Sequence, residues 1–597
     1  MTRSITPPTT PPAGAPSLRG RRVLFASLVA GTSALLLGLM AATLFVEAPD
    51  PLGIAMLLLF ALTLPWTTIG FWNAVIGFAL MAFTRDPAGR VAPHLHSIRG
   101  DEPITTSTAL LICIRNEDPR RLSRNLGLMI EGLVATGASR WFHLYMLSDS
   151  NDVEIIAGEE RIAAGLKARF GAAMDVSYRR REGGSGFKAG NIRDYCERWG
   201  GRHPFAIVLD ADSVMSPAAM LRLVRIMQAR PQIGILQTLV TGLPSASPFA
   251  RIFQFGMRLG MRSYTLGAAF WQGDCGPYWG HNAILRVAPF TAHCHLPVLP
   301  GKAPLGGHVL SHDQLEAVLM RRAGYEVRVL PEEGGSWEEN PPTLPEFIRR
   351  DLRWCQGNMQ YFHFLRLPGL LPVSRCQLGL AIAMYAGAPA WMGMMALGLL
   401  RQMPLRLDLG AVLFATTLFM SFAPKFATLA DVLLRPTLRR AYGGTLRTVL
   451  GAVLETLFSM LLAPVAAVSV TLFLFGLPFG REVGWTAQHR DAEGVPLALA
   501  ARRLWPHTLI GLLFAAGFWR VVPDAIWLWA PFALGLAGAI PLAMLSAHPR
   551  LGAAFVALGL CRSPEEARPH PEPEFAALFS PFAPAPPLAA AAPGRNE

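Results

Sequence analysis

The stretch Phe205-Ala206-Ile207-Val208-Leu209-Asp210-Ala211-Asp212 joins a short apolar run to two carboxylates, and this junction decides the fold that we predict. An uninterrupted apolar run of this length is typical of a strand buried on both faces of a parallel sheet. Ser216-Pro217 follows and opens a helix, because Ser caps helix N-termini and Pro fits the first turn. Strand, acidic turn and helix together predict one unit of an α/β sheet.

Three more strands precede this unit. The apolar runs 108–114, 141–147 and 174–178 are the predicted strands. Helical patterns follow the first two, one opened by Asp118-Pro119 and the other over 154–169. Alternating strands and helices predict an α/β sheet, in which ligands bind beyond the carboxyl ends of the strands.

Acidic and amide side chains follow three of these strands, at the edge where a ligand is expected. They are Asn116 and Glu117, then Asp149, and finally Asp210 and Asp212. Each alone is explained as a helix cap, but three sets at one sheet edge favour a binding site. Asp210 and Asp212 are two apart, so in an extended chain both carboxylates point the same way. Mg²⁺ bridging this pair to a diphosphate would relieve their repulsion.

A basic, glycine-rich loop over 179–191 lies between the third and fourth predicted strands. It carries Arg179, Arg180, Arg181 and Lys188 near the same edge. Cations and glycine backbone fit anion binding, although a flexible basic loop explains the composition equally well. The Gly-Lys-Ser/Thr ending of a P-loop is missing.

A second candidate site lies downstream at Ser311-His312-Asp313-Gln314, before a helix predicted to end at Ala323. Ser311 and Gln314 have capping-box spacing, and Asp313 in the first turn suits the helix dipole. The structural role is therefore sufficient to explain the pattern. The functional alternative is that Asp313 accepts a proton during catalysis.

Another capping box, formed by Thr343 and Glu346, predicts a helix that carries Arg350, Arg353 and Trp354 on one face. Two cations beside an indole suit a diphosphate next to a sugar ring. The same set also suits a helix at the membrane surface, with Arg at the headgroups and Trp in the interfacial belt.

The composition excludes an ordinary soluble enzyme. The chain has 597 residues, of which 52% are hydrophobic and 16% charged, with a net charge of +13. Its mean hydropathy is +0.33. Soluble domains carry charge on about a quarter of their residues, so long apolar segments must span a membrane. The apolar runs are 23–46, 52–83, 377–400, 409–433, 448–478 and 506–546, the last with a polar break at 520–524.

The distribution of arginine predicts the orientation. The connection 47–51 lacks Lys and Arg, whereas Arg85 and Arg90 follow the second run, so both polar ends of this pair are expected in the cytoplasm. The run 448–478 is long for one crossing and short for two, and its Arg-rich flanks favour an even number of crossings or a re-entrant hairpin. Arg401 and Arg406 oppose this scheme, because they fall in a loop assigned to the outside.

Five regions follow from these patterns. They are a disordered cytoplasmic N-terminus over 1–22, two transmembrane helices within 23–83, a cytoplasmic α/β domain over 100–375, a C-terminal transmembrane region with cytoplasmic loops over 376–546, and a disordered cytoplasmic tail over 547–597.

Four motifs downstream of the acidic edge resemble the processive family 2 glycosyltransferases, and more closely their synthases of osmoregulated periplasmic glucans. The motifs are Tyr278-Trp279-Gly280-His281-Asn282-Ala283-Ile284, His293-Cys294-His295-Leu296-Pro297, Leu310-Ser311-His312-Asp313 and Arg353-Trp354-Cys355-Gln356-Gly357-Asn358. The resemblance covers about residues 105–505. It departs from the family at large at Arg350, where the family has Gln, and at Ser311-His312-Asp313, where it has Thr-Glu-Asp.

The resemblance implies a GT-A glycosyltransferase domain inserted between α-helical transmembrane segments. It also implies UDP-glucose as donor, Mg²⁺ or alternatively Mn²⁺ as metal, and a growing β-glucan with a β-1,2-linked backbone as acceptor. Carried over residue by residue, the resemblance assigns Asn116, Glu117 and Asp149 to uridine, Lys188 to the donor, and Asp210 and Asp212 to the metal and diphosphate. It makes Asp313 the catalytic base and places Tyr278, Trp279, Gly280 and His281 at the acceptor end. Arg353 and Trp354 would contact the diphosphate and terminal sugar, and Arg350 is a further substrate-binding candidate.

The resemblance further implies location in a bacterial inner membrane with both termini cytoplasmic. Acyl carrier protein and periplasmic glucan-processing proteins are the partners it implies, and membrane lipids the surroundings. Nucleic acid is not expected as a partner, because loops at the membrane account for the basic excess. Glu455, within an apolar run, is a candidate lining residue of the path that conducts the glucan, and a pairing with a nearby Arg at the interface explains it equally well.

Other functions are compatible with parts of the sequence. A cellulose-like or hyaluronan-like synthase would share the catalytic residues and differ in linkage. A transporter or receptor with a nucleotide-sensing domain would explain the apolar runs, but it leaves Asp313 and Arg353-Trp354 without a role. A zinc site could be drawn from Cys275, His281, His293, Cys294 and His295, although their spacing matches no structural zinc pattern.

Overall fold

The structure, a computed structural model, describes residues 18–401, 403–484, 493–567, 575–576 and 578–581. Its centre is a mixed sheet whose strands are β1 (Thr108–Ile114), β2 (Phe142–Ser148), β3 (Asp175–Arg180), β4 (Phe205–Asp210), β5 (Val214–Met215), β6 (Ile233–Gly242), β7 (Ala283–Arg286) and β8 (Glu326–Glu338). The eight strands lie in the order β3-β2-β1-β4-β7-β6-β8-β5. β1 is parallel to both β2 and β4, and β7 is antiparallel to β4 and β6. The four predicted strands and the α/β class are confirmed, with strand ends within two residues of the prediction.

Helices pack on both faces of the sheet and lie at both ends of the chain. Before the sheet come α1 (Leu18–Leu44), α2 (Pro51–Phe83) and α3 (Pro87–Val91). Within the domain are α4 (Pro119–Ala135), α5 (Val153–Phe170), α6 (Phe187–Trp199), α7 (Pro217–Ala229), α8 (Pro248–Gln272), α9 (Val287–His293), α10 (Asp313–Arg322) and α11 (Leu344–Met359). After it come α12 (Pro372–Leu400), α13 (Leu407–Leu434), α14 (Pro436–Ala441), α15 (Thr445–Gly476), α16 (Leu497–Val521), α17 (Ile526–Ala537), α18 (Ala539–Ser546) and α19 (Pro549–Leu558).

Two hydrophobic cores sandwich the sheet. One lies against α4, α5 and α7 and contains Leu110 of β1 and Leu126 of α4. The other lies against α6 and α10 and contains Val208 of β4. This second core continues into the membrane-spanning helices, where it includes Leu378 of α12 and Phe473 of α15. One face of the sheet and the membrane region therefore share a single core.

The long helix α8 ties the domain to the apolar helices by close backbone contact. A Cβ built on Gly77 of α2 would lie 2.0 Å from the carbonyl oxygen of Ser263, and one built on Gly267 would lie equally close to the carbonyl oxygen of Asn73. The indole nitrogen of Trp271 also donates to Asn73 Oδ1 at 3.0 Å. Since neither glycine has room for a side chain, α8 and α2 are held in one relative position.

Among the described residues, five helices are long and apolar enough to span a membrane, namely α1, α2, α12, α13 and α15, and the bent pair formed by α17 and α18 would be a sixth. The predicted break at 520–524 is present, because α16 ends at Val521 and α17 starts at Ile526. The expectation of an even number of crossings or a hairpin over 448–478 is wrong. α15 is one continuous helix of 32 residues through Pro464, and a helix of that length crosses a bilayer once.

Disorder was predicted too generously at both ends. α1 begins at Leu18, so the prediction over 1–22 is wrong for its last five residues, while 1–17 lie outside the described residues. The predicted tail contains α19, and Glu565 and Glu566 beyond it pair with Arg258 and Arg251 of α8 at 2.5 and 2.9 Å. The other masked residues of this tail, 568–574, 577 and 582–597, also lie outside the described set.

The position of Arg401 has a simple explanation. Its side chain is almost fully buried and donates to Asp50 at 2.7 and 3.0 Å and to the Leu44 carbonyl at 2.6 Å. Arg406 pairs with Asp408 at 2.8 Å. Both charges are neutralised locally, so they carry little weight in an argument from loop charge.

Candidate active site

A cavity of about 930 Å³ opens along the carboxyl ends of β1, β2 and β4 and continues between α8, α10, α11 and α12. The predicted site residues that line it are Glu117, Asp149, Lys188, Asp210, Asp212, Tyr278, Trp279, Gly280, His281, Asp313, Arg350, Arg353 and Trp354. Asn116 is the predicted residue that does not line this cavity. Residues far apart in the sequence, such as Glu117 and Trp354, therefore meet in one chamber.

Asn116 braces the loops at the end of the sheet. It has a positive φ of 55°, and its side-chain oxygen accepts from the backbone N–H of Asn151 and Asp152 at 3.0 and 3.2 Å. Its amide donates to Asn151 Oδ1 at 2.7 Å. The amide is thus engaged with the loop after β2, and this side chain holds the loops beside Glu117 and Asp149.

Asp149 is held by an arginine from the basic loop. Arg181 Nε and Nη2 donate to the two carboxylate oxygens of Asp149 at 2.8 and 2.6 Å. The same guanidinium donates to the carbonyls of Ser185 and Phe187 at 3.0 and 3.1 Å, while Arg179 pairs with Asp194 at 2.9 Å. Two of the cations that suggested anion binding therefore pair with acids and order the loop.

Lys188 and Asp210 form the next pair along the edge, with the ammonium group hydrogen-bonded to Asp210 Oδ1. Burial alone would lower the pKa of Lys188, but Asp210 outweighs it and the pKa is raised above its ordinary value. β4 ends at Asp210 and a turn follows, so the extended-chain argument for Asp212 does not apply. Both carboxylates nevertheless line the cavity.

Asp313 is the first residue of α10 and lies opposite the predicted acceptor segment. A Cβ built on Gly280, whose φ is +81°, would be 3.3 Å from Asp313 Cβ. Behind it, His312 Nδ1 lies 2.9 Å from Glu316 Oε2 in a buried pair that orients the start of the helix. Across the described part of the chain, no hydrogen bond or ion pair engages the Asp313 carboxylate. Sequence reasoning did not select His312 and Glu316, although their spacing of four residues at the start of a helix indicates such a pair.

Ser311 is not the helix cap that its spacing predicted. The N-cap of α10 is His312, without a side-chain cap. Ser311 instead packs against α11, where a Cβ on Gly357 would lie 2.1 Å from its Oγ, and its carbonyl accepts from the Tyr361 hydroxyl at 2.8 Å. These contacts fix Asp313 relative to α11.

α11 presents its predicted cationic face to the cavity. Thr343 caps it by accepting from the Glu346 N–H, which confirms this start signal. The Arg350 guanidinium lies 4.7 Å from the centre of the Trp354 ring, and Trp354 remains 49% exposed. The helix therefore offers a half-exposed indole, backed by a stacked cation, to a ligand.

The acceptor segment is held by Gln237 of β6, a residue that the sequence gave no reason to select. Its side-chain oxygen accepts from the Trp279 N–H at 2.8 Å, and its amide donates to the His281 carbonyl at 3.0 Å. The His281 ring lies 3.5 Å from Glu338 and 3.4 Å from Ser213. Tyr278 is buried beside it.

Asp351 is a titratable neighbour of this face that sequence reasoning also missed. It accepts from the Tyr385 hydroxyl of α12 at 3.2 Å. Burial raises the pKa of Asp351 to about 6, although the Tyr385 hydrogen bond opposes the rise. This contact joins α11 to a membrane-spanning helix beside Arg350.

The far end of the cavity is apolar and lies among the membrane helices. Its lining there includes Trp66 and Ile69 of α2, Met261 of α8 and Met384 of α12. Glu455 is not part of this lining, contrary to expectation. It pairs with Lys425 at 2.5 Å, because the two residues face each other on α15 and α13.

The two carboxylates at the sheet edge, Asp210 and Asp212, are the metal ligands that the sequence predicts. Within the described ranges, no cluster of three or more His, Cys, Asp and Glu side chains could hold a metal ion. Mg²⁺ commonly takes only one or two carboxylates from protein, with phosphate and water supplying the rest. The pair Asp210 and Asp212 fits that donor set.

Comparisons with known proteins agree with this geometry. The family model described as glycosyl transferase family group 2 matches residues 205–542, and the one described as glycosyltransferase like family 2 matches 106–271. Glucans biosynthesis glucosyltransferase H of Xylella fastidiosa (strain 9a5c) is 36% identical over 86% of this chain and 83% of its own. The proteins of that name from Dickeya dadantii (strain 3937) and Escherichia coli (strain K12) are also 36% identical over 87% of this chain.

The chain spans 63% and 64% of the length of these last two relatives. Among solved structures, the mannosyltransferase PcManGT from Pyrobaculum calidifontis, in complex with GDP-Man and Mn²⁺, is 15% identical and aligns over 60% of this chain and 98% of its own, with a TM-score of 0.35.

The two family models together match residues 106–542, which include the α/β domain and most of the helices that follow it. The predicted GT-A domain between apolar helices is confirmed, and the relatives support a membrane-bound glycosyltransferase over a transporter or receptor. The chain therefore belongs to glycosyltransferase family 2, where its relatives include the proteins named glucans biosynthesis glucosyltransferase H.

Proposed function

We propose that this glycosyltransferase moves glucose from UDP-glucose, with inversion, onto a growing β-glucan and passes the chain across the membrane. The observation that carries the proposal is one continuous cavity. It begins at the acidic sheet edge, passes Asp313 and Trp354, and ends among membrane helices. A donor, an acceptor end and an exit path would each have a place in it.

The sheet edge would hold the donor. Glu117 and Asp149 line the cavity where the nucleoside is expected, and Asn116 would act indirectly by bracing their loops. Lys188 carries a raised pKa and remains an ammonium at neutral pH, so it would attract the diphosphate. Its present partner Asp210 would then be released for other contacts.

Asp210 and Asp212 would hold the divalent cation, Mg²⁺ or Mn²⁺. When bound, this ion would stabilise the negative charge that develops on the departing UDP. Removing it with a chelator should stop transfer, and Asp212→Asn should raise the Mg²⁺ concentration needed for activity. Equal metal dependence in this variant and the wild type would contradict the assignment.

Asp313 would be the base. It would take the proton of the acceptor hydroxyl while that oxygen bonds to the anomeric carbon and the bond to the diphosphate breaks. An inverting transfer needs one such base, and Asp313 lines the cavity with no hydrogen-bonded partner elsewhere in the described chain. Gly280 leaves the space beside it that a sugar hydroxyl would need.

The face of α11 would bind the acceptor end and the diphosphate. Trp354 offers a half-exposed ring on which a terminal sugar can stack. The Arg350 guanidinium lies 4.7 Å from the centre of that ring and would support it. Arg353 would contact the diphosphate, since guanidinium groups bind phosphate oxygens in pairs. Tyr278, Trp279, Gly280 and His281 would line the opposite wall.

The relatives and the charge distribution support a proposal for the location and the partners. We place the protein in the inner membrane with its catalytic domain and both termini cytoplasmic. An acidic acyl carrier protein would dock on the Arg-rich domain surface, and periplasmic glucan-processing proteins would receive the product. Loss of activity when the carrier is removed would support the first of these partners.

The deciding experiment uses the purified full chain in nanodiscs with UDP-glucose and Mg²⁺. Release of UDP together with a β-1,2-linked glucan is the expected result from linkage analysis. A β-1,4-linked product would instead indicate a cellulose-like synthase. Nucleotide binding without UDP release would contradict the proposal and favour a sensing role.

A further inference from the structure

A second cavity, of about 240 Å³, lies between the start of α15 and the end of α19, away from the active site. It is lined by Arg447, Val556, Ala557, Gly559, Arg562 and Glu566. Two guanidinium groups and a glycine backbone thus surround one small opening. The catalytic proposal gives it no role.

Glycine backbone allows the two arginines to converge. A Cβ built on Gly443 would lie 3.3 Å from Arg447 Cδ and 3.5 Å from Arg562 Cδ. One built on Gly559 would lie 3.2 Å from Arg447 Nε. Both glycines have positive φ values, +93° and +67°. Side chains at these two positions would fill the space that the arginine side chains occupy.

The cavity carries uncompensated positive charge. Arg447 has no hydrogen bond or ion pair with any residue that the structure describes. Arg562 donates to the Glu566 carbonyl at 2.8 Å, which leaves its charge unopposed. The Glu566 carboxylate is already engaged, by Arg251 at 2.9 Å and by the Ser563 N–H at 2.9 Å. An anion is therefore the ligand that this chemistry would accept.

Exposed leucines surround the opening. Leu446 and Leu450 are 71% and 47% exposed, and they share one face of α15 beside Arg447. Leu558, next to Gly559, is 59% exposed. α15 is a candidate membrane span, and Leu446 and Arg447 lie in its first turn, at one end of that span.

We propose that this cavity binds the headgroup phosphate of an anionic phospholipid, with Arg447 and Arg562 on the phosphate and acyl chains along Leu446 and Leu558. Paired guanidinium groups match phosphate oxygens, and basic pockets between membrane helices favour anionic headgroups. A free phosphate ion would use the arginines but leave the leucines uncovered. The adjoining apolar surface is the reason for choosing the lipid.

Binding here would also support the segment that contacts the catalytic domain. Arg562 and Glu566 belong to the stretch in which Glu566 pairs with Arg251 of α8. α8 lines the main cavity through Met257 and Met261. A lipid in the second cavity would therefore hold the end of the chain against this helix.

Native mass spectrometry of the detergent-solubilised full chain tests the proposal, with phosphatidylglycerol and phosphatidylcholine added in turn. The wild type should retain phosphatidylglycerol in preference. Arg447→Gln with Arg562→Gln should weaken that retention by about fivefold for each guanidinium removed. The matched control is Arg502→Gln with Arg503→Gln, an exposed pair in the first turns of α16 that should bind lipid as the wild type does.

Unchanged phosphatidylglycerol retention in the Arg447/Arg562 variant would overturn the proposal. Competition by glycerol phosphate or inorganic phosphate as strong as that of the lipid would overturn the choice of a lipid. If the double variant does not purify, Leu446→Ser with Leu558→Ser replaces it, since both side chains are exposed. That variant should lower lipid retention, and wild-type retention in it would count against the proposal.

Discussion

The acids of the sheet edge and the acid of α10 differ in how they are held. Asp149 and Asp210 are each bonded to a cation, Arg181 and Lys188. Asp313 has no such bond within the described chain, although it lines the same cavity. A paired carboxylate is neutralised and fixed, whereas an unpaired one is available to take a proton. The difference separates a region suited to binding from a residue suited to chemistry.

The largest effect should come from removing the unpaired acid. Asp313→Asn keeps the shape but cannot accept a proton, so glucosyl transfer should fall by about 10²-fold or more. UDP binding should persist, because the sheet edge is untouched. Transfer and UDP binding are measured side by side, with Asp101→Asn, an exposed acid outside the cavity, as control. Near wild-type turnover would remove the distinction between the two regions.

Breaking a pair at the sheet edge should act on stability first. Arg181→Met leaves the largely buried Asp149 carboxylate without its cation and should lower the free energy of unfolding by about 3 kcal/mol. Adding Asp149→Asn should recover part of this loss, because the buried charge is removed as well. Thermal unfolding of the two single variants and the double variant measures the coupling. Additive losses would mean that the pair does not interact.

The space beside Asp313 can be tested with two glycines. Gly280→Ala should reduce transfer by about tenfold, because its Cβ would lie 3.3 Å from Asp313 Cβ and take the space beside the base. It also adds backbone strain of roughly 1–2 kcal/mol, which should lower stability. Gly301→Ala is the matched control, with a φ of +87° and nothing within 4 Å of its Cβ. It should lose stability from the same strain and keep its activity. Equal activity losses would show that strain alone is responsible.

The smallest effect concerns Asp351. This acid is intermediate between the two kinds, because it is held by a neutral hydroxyl group, that of Tyr385, and not by a cation. Its pKa is about 6 in the folded chain against an ordinary 3.8. The folded state therefore binds the extra proton, and its stability falls as pH rises through this window. In Asp351→Asn this fall in stability is absent. The unfolding temperature of the variant, relative to that of the wild type, should therefore rise between about pH 4 and pH 7. A pH-independent difference would contradict the raised pKa.

Local patterns account for what the sequence predicted well. β1 and β4 are apolar runs that stop at a polar residue, Arg115 and Asp210, and both signals lie within a few positions. The capping pair Thr343 and Glu346 is equally local and placed α11 correctly. Cavity residues attached to such elements were therefore predictable.

Contacts between residues far apart in the sequence explain what could not be predicted. Three consecutive arginines could each have reached Asp149, and only the fold selects Arg181, 32 residues away. Asn116 has a side chain suited to a ligand or to a loop, and its hydrogen bonds decide for the loop. The Pro/Ala-rich tail suggested disorder by composition, yet Phe575 in it packs against Trp337 at 5.9 Å between ring centres.

The two cores of the sheet have a consequence for how the protein is made. One core is completed by Phe575 and Phe579, and the other by Val470 and Phe473 of α15. Synthesis proceeds from the N-terminus, so the catalytic sheet leaves the ribosome long before either core can close. Cutting the chain after residue 375 would leave both cores without these side chains. The catalytic domain should aggregate when expressed alone, and its folding depends on insertion of the helices that follow it.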